Sequence, residues 1–187
     1  ERMAQRGQKI RIALTLTPSH TGVVESGNVV AEIRGTDLAD EIVVIGGHLD
    51  SWDLGTGAVD DGAGVAITME VLRRIRDSGL KPRRTIRLVL WGAEEVGLLG
   101  GYAYFDKHQA TLRKHVIGTE SDFGAGKIWK ITRSISKDAE PVADKIAELV
   151  EPLGIATGSN DARSSGPDLT PMNAMGFPGF RFVQDGS

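Results

Sequence analysis

The sequence has no cysteine, which excludes a disulfide framework and any zinc site built on thiolates. It has no apolar run near the roughly 18 residues of a membrane span. It has no excess of basic charge: 22 Lys and Arg stand against 25 Asp and Glu, a net charge of −3, so no nucleic acid is expected as partner. Aromatic residues make up only 5% of the chain. A hydrophobic content of 40% at so small a net charge excludes a disordered chain and fits one folded domain in 187 residues. Glycine, by contrast, is abundant at 24 residues, so tight turns and close backbone approaches are expected.

Hydrophobic periodicity orders the chain. Residues 9–17 alternate, with Ile10, Ile12, Leu14 and Leu16 on one face, and predict a half-buried strand. Residues 28–34, flanked by Gly27 and Gly35, predict a second strand, paired antiparallel with the first across the polar loop 18–27. Ile42 to Ile45 is a continuous apolar run of the kind buried on both faces of a parallel sheet. Residues 61–78 predict a helix with Val65, Met69, Leu72 and Ile75 inward and Gly79 as its stop. Strand 84–91 follows, then helix 94–108 with a stripe of Leu98, Tyr102 and Phe105, then strand 116–121. The order then allows one further strand before a helix over 138–152, with Val142, Ile146, Leu149 and Val150 inward. A short turn of helix at 171–175 and a last strand at 179–183 complete the pattern. Alternating strands and helices predict an α/β fold, a mixed, mostly parallel central sheet with helices on both faces.

In such sheets ligands bind beyond the carboxyl ends of the strands. Gly46-Gly47-His48-Leu49-Asp50 follows the first central run, Gly92-Ala93-Glu94-Glu95 the second, and Glu120-Ser121-Asp122 the third. Gly57-Ala58-Val59-Asp60-Asp61-Gly62 opens the first long helix. Each has an ordinary reading: a structural histidine, a helix N-cap at Asp60-Asp61, an acidic pair favoured by the helix dipole at Glu94-Glu95. Together they place His48, Asp60, Glu94, Glu95 and Asp122 on one rim. Crowded carboxylates raise one another's pKa unless a cation neutralises them. One imidazole with carboxylates and no thiolate suits zinc, manganese or cobalt. Asp50 is placed to hold the other ring nitrogen of His48. The remaining histidines read as structural: His20 in a polar loop, His108 at a helix end, His115 before a strand. Trp52 and Trp129 read as packing residues, and the polar loop Ser164 to Asp168 receives no role.

These four segments, in this order and spacing, resemble the zinc peptidases of family M28, from about residue 28 to the end. The Gln184-Asp185-Gly186 tail resembles a carboxypeptidase branch of that family. The resemblance implies a zinc exopeptidase fold and two zinc ions. His48 and Asp122 would ligate one, Glu95 the other, and Asp60 would bridge them. Glu94 would be the general base, with Asp50 behind His48, and the Asp60–Asp61 peptide would be cis. Dipeptides or short peptides would be the substrates, with an aminopeptidase or a non-catalytic receptor-like relative as the alternatives. A metal phosphoesterase also uses acids and histidine, but the Glu94-Glu95 pair disfavours it. The resemblance also implies a secreted or periplasmic protein and a possible homodimer. The family's final histidine ligand follows the Gln-Asp-Gly segment, and no histidine follows Gly186 here. The expectation is therefore a catalytic-domain segment of a longer chain, without the family's protease-associated domain and C-terminal part. Its second zinc site would be incomplete, and the segment would lack activity by itself.

Overall fold

The computed structural model describes residues 2–19, 21–122, 124–160 and 165–185. His20, Ser164, Gly186 and Ser187, on which some of the expectations fall, lie outside them. A single turn of helix, α1 (Arg2–Gln5), precedes the strands β1 (Val29–Ile33) and β2 (Leu38–His48). Then come α2 (Gly62–Asp77), β3 (Arg84–Trp91), α3 (Leu99–His108), β4 (His115–Glu120) and β5 (Ile128–Ser134). The chain continues through α4 (Glu140–Val150), β6 (Ala156–Asn160), α5 (Thr170–Asn173) and β7 (Gly179–Gln184). The strands form one seven-stranded sheet in the order β1-β3-β2-β4-β7-β5-β6. β2 runs parallel to both β3 and β4, which lays the ends of all three along one rim. Antiparallel pairs occur at β1–β3 and β5–β7.

The alternation of β2 sorts its side chains between two helical layers. Ile42 and Val44, with Val89 and Trp91 of β3, pack against Tyr104 of α3 and against Leu169, Met172 and Phe177 around α5. Ile45 faces Ile67 and Val71 of α2 across the sheet. α4 closes the far end by packing Ala143, Ile146 and Val150 near Ile131 and Phe180.

Five features depart from the sequence expectations. Residues 9–17 are unpaired, and their apolar side chains face solvent, Leu14 being 74% exposed. Strand 29–33 takes its antiparallel partner from β3 instead, and among the described residues no strand pairs with its outer edge. α2 buries Gly64 and Thr68 rather than Met69, because its glycine face allows it to touch the strand ends. Helix α3 starts at Leu99, not residue 94, since 93–98 form a turn with Ala93 and Leu98 at positive φ; Tyr104, not Tyr102, then faces the core. α4 leaves Val142 and Leu149 exposed, and Trp52 and Trp129 are exposed rather than packed. The fifth is β6, a short, largely exposed edge strand of Ala-Thr-Gly-Ser-Asn, which carries no apolar alternation to announce it.

Candidate metal centre

His48 is the last residue of β2 and is only 1% exposed. Three contacts orient it. Its backbone N–H donates to Asp61 Oδ2 at 2.9 Å. Its Nδ1 lies 2.9 Å from the Asp50 carbonyl oxygen, which makes Nδ1 the protonated nitrogen when the ring is neutral. Its Nε2 points outward, 3.0 Å from Asp60 Oδ1, 3.4 Å from Asp122 Oδ1 and 4.0 Å from Glu94 Oε2. Asp50 holds the other ring nitrogen of His48 through its main-chain oxygen, while its nearer carboxylate oxygen stands 3.7 Å from Nδ1. The Asp50 carboxylate instead accepts the backbone N–H groups of Glu94 at 2.9 Å and Glu95 at 3.1 Å. One residue thus holds the ring with its main chain and the Glu94–Glu95 turn with its side chain.

Asp61, which the sequence offers only as a helix cap, does more. It caps α2 through Gly64 N–H at 3.1 Å while its other oxygen holds His48, and it is 2% exposed. Glycine is required on both sides. A Cβ on Gly47 would stand 2.6 Å from Asp61 Oδ2, and one on Gly64 would stand 1.8 Å from the Ser121 carbonyl oxygen. The Asp60–Asp61 peptide bond is cis.

Donor atoms converge in two overlapping groups, His48 with Asp60 and Glu95, and His48 with Asp61 and Asp122, each within 4.8 Å. The four sequence-predicted ligands, His48, Asp60, Glu95 and Asp122, fall within these groups, and Glu94 Oε2 stands 4.0 Å from His48 Nε2. Without a cation their charges conflict. Burial opposes the His48 imidazolium, yet contact with Asp122 and the charges of Asp61 and Glu94 prevail and raise it to about 10. Burial, reinforced by Asp122, pushes Asp61 up to about 7 against the hydrogen bond from His48. Burial likewise lifts Glu94 to about 7, with Asp122, Asp168 and Glu95 adding to it and His48 opposing. A divalent cation resolves this conflict, and a donor set of one imidazole nitrogen and carboxylate oxygens fits zinc.

Behind the rim stand two acids to which the sequence lent no role, Glu120 and Asp168, both buried. Burial and the neighbouring Asp168 drive Glu120 well above the usual carboxylate range, and burial raises Asp168 to about 6. The sequence carries one faint signal of them: polar residues at the end of an apolar strand and in a glycine-bearing loop.

An α/β domain with acids and a histidine gathered at parallel strand ends is the class that fold and site define. Comparison with known proteins narrows it. Residues 28–187 match the model of peptidase family M28, and the chain belongs to that family. It is 40% identical to carboxypeptidase Q of Rattus norvegicus over 184 residues, which are 98% of this chain and 39% of that protein. Carboxypeptidase Q of Homo sapiens is 37% identical over the same shares of the two chains. The chain thus spans well under half the length of these relatives. A solved peptidase M28 precursor from Shewanella amazonensis matches with a TM-score of 0.81 and 52% identity, over 85% of this chain and 36% of that one. BSAP, a zinc aminopeptidase from Bacillus subtilis, shares the fold at a TM-score of 0.66 and 22% identity, over 85% of this chain and 40% of its own.

Proposed function

We propose that this chain forms the catalytic core of a zinc-dependent exopeptidase acting on dipeptides or short peptides. The observation that carries the reading is the convergence on His48 Nε2 of Asp60, Asp122 and Glu94 from three separate elements, within 4.0 Å. The carboxypeptidase Q relatives support the substrate class.

In this reading His48, Asp60 and Asp122 would hold one zinc ion, and Asp60 with Glu95 would contribute to a second. Bound there, zinc would supply positive charge to polarise a peptide carbonyl and acidify water. The chain's own residues do the rest. Glu94 accepts a proton from the attacking water and returns it to the nitrogen of the broken peptide bond. The water oxygen ends in the new carboxyl group. Asp50 keeps Glu94 aimed by gripping its backbone N–H. A carboxypeptidase and an aminopeptidase would share this chemistry, and peptides with blocked or free termini separate the two. We place the protein outside the cytoplasm, secreted or periplasmic, a reading supported by the Shewanella relative's description as a precursor.

The test is elemental analysis of the folded chain after zinc loading and desalting, with dipeptide hydrolysis measured in a chain of its relatives' length. At least one zinc per chain is expected, and chelation should abolish hydrolysis. Glu94→Gln should keep the metal and lower kcat by about 100- to 10,000-fold. Absence of bound zinc in both chains, or full activity in Glu94→Gln, would overturn the reading.

A further inference from the structure

Glu120 closes β4, two residues before Asp122, and Asp168 lies between β6 and α5. Both are 1% exposed. Asp168 N–H donates to Glu120 Oε2 at 3.0 Å, and Glu120 N–H donates to the Ser165 carbonyl at 2.9 Å. Glu120 Oε1 and Asp168 Oδ2 are buried and receive no N–H.

The far side of the pair reaches the other half of the site. Asp168 Oδ1 accepts the Gly101 N–H at 3.1 Å, in the first turn of α3. That turn is laced to the Glu94–Glu95 loop: Gly100 N–H bonds the Gly92 carbonyl, Leu99 N–H that of Ala93 and Leu98 N–H that of Glu94, all within 3.0 Å. Glycines leave room for the contact. A Cβ on Gly166, at φ +128°, would stand 2.2 Å from Glu120 Cβ, and one on Gly101 would stand 2.4 Å from the Asp168 carbonyl oxygen.

We propose that Glu120 and Asp168, joined through the Asp168 N–H, act as a positioning clamp. The clamp locks the strand end that carries Asp122 to the turn that carries Glu94 and Glu95. Neither residue touches reacting atoms; they act through the three that do, and to that extent the inference rests on the metal-centre reading above.

Two measurements on wild type, Glu120→Gln and Glu120→Ala test it: amide hydrogen exchange of the metal-free protein, and cobalt(II) titration by visible absorption. Glutamine keeps an oxygen to accept the Asp168 N–H, so Glu120→Gln should stay within threefold of wild type in both. Glu120→Ala, held well below its Tm, should speed exchange at Glu94, Glu95 and Gly101 at least tenfold and weaken cobalt binding at least tenfold. A merely structural loss would lower Tm without moving those amides. Glu120→Ala exchanging at wild-type rates at the three amides, or Glu120→Gln behaving as Glu120→Ala does, overturns the clamp. If wild type binds no cobalt, the metal reading fails and the exchange result still decides the clamp. Should Glu120→Ala not fold, Glu120→Asp carries the same expectation, because one methylene less breaks the contact with Asp168.

Discussion

Single side chains here hold more than one part at once, which makes the site sensitive to changes of one atom. Gly64 lets α2 lie against Ser121 and Asp61, so a methyl group there has nowhere to go. Gly64→Ala should lower stability by about 3 kcal/mol and lose zinc in the same step, as denaturant unfolding and elemental analysis would show. Ala93 and Leu98 adopt positive φ at the turn that aims Glu94, a strained conformation of the kind held at sites where geometry matters. The titrating residues set the pH response. With its pKa raised to about 10, metal-free His48 is protonated at neutral pH and must release that proton to solvent when a metal ion binds. Asp61 and Glu94, raised to about 7, ionise later in the folded than in the unfolded chain, so their contribution to stability is lost as pH rises from about 4 to about 7. A cation reverses that loss. The rise in Tm caused by zinc should therefore be larger at pH 7.5 than at pH 5, and calorimetry in buffers of different ionisation enthalpy should show proton release on binding. Equal shifts at the two pH values would contradict the charge conflict described here.

Among the elements, α3 and β4 carry a polar chain that is separate from the site. Tyr104 Oη lies 2.7 Å from Arg87 Nη1 and 2.8 Å from His115 Nε2, and Arg87 pairs with Glu32. His115 sits beside Ile42, six residues before His48, or about 20 Å along β2. Tyr104→Phe leaves buried His115 Nε2 without its partner and takes one from half-buried Arg87, so it should cost about 1–3 kcal/mol while zinc content stays unchanged. Burial holds His115 down to about 4, so its neutral form favours the fold above its unfolded pKa near 6.5. That contribution is lost as pH falls through about 4. It runs opposite to the carboxylates, which is why the zinc-induced difference in Tm, rather than Tm itself, reports on the site. Segment 9–17 makes no ladder and buries no side chain. Removing residues 1–17 should change stability by no more than about 0.5 kcal/mol, and its amides should exchange near the rate of an unstructured peptide.

Across the whole molecule, the strand ends of β2, β3 and β4 converge only because the three strands are parallel neighbours. His48 comes from one, the Glu94–Glu95 turn from the second and Asp122 from the third, with Asp60 delivered by the loop into α2. A metal ion bound there ties together residues up to 74 positions apart in the chain (His48 to Asp122), so zinc removal should loosen the rim first and the sheet centre last. Hydrogen exchange with and without chelator would check that order at Ser121, whose N–H bonds Gly46, against Val44 in the core.

The sequence by itself determined the apolar runs, and with them the central strands, because burial on both sheet faces needs uninterrupted Val, Ile and Leu. It also determined which donors follow each run, since residues after a parallel strand fall on one rim whatever the rest of the chain does. Only the tertiary structure decided what depends on distant contacts. The glycine face of α2, the Asp50 carboxylate bound to two amides and the Glu120–Asp168 pair are all set by partners far along the chain. So is the fate of residues 9–17, whose alternation makes a strand possible while only pairing with another strand makes it real. Periodicity reports what a segment can bury; what it meets there is fixed by the packing of the whole.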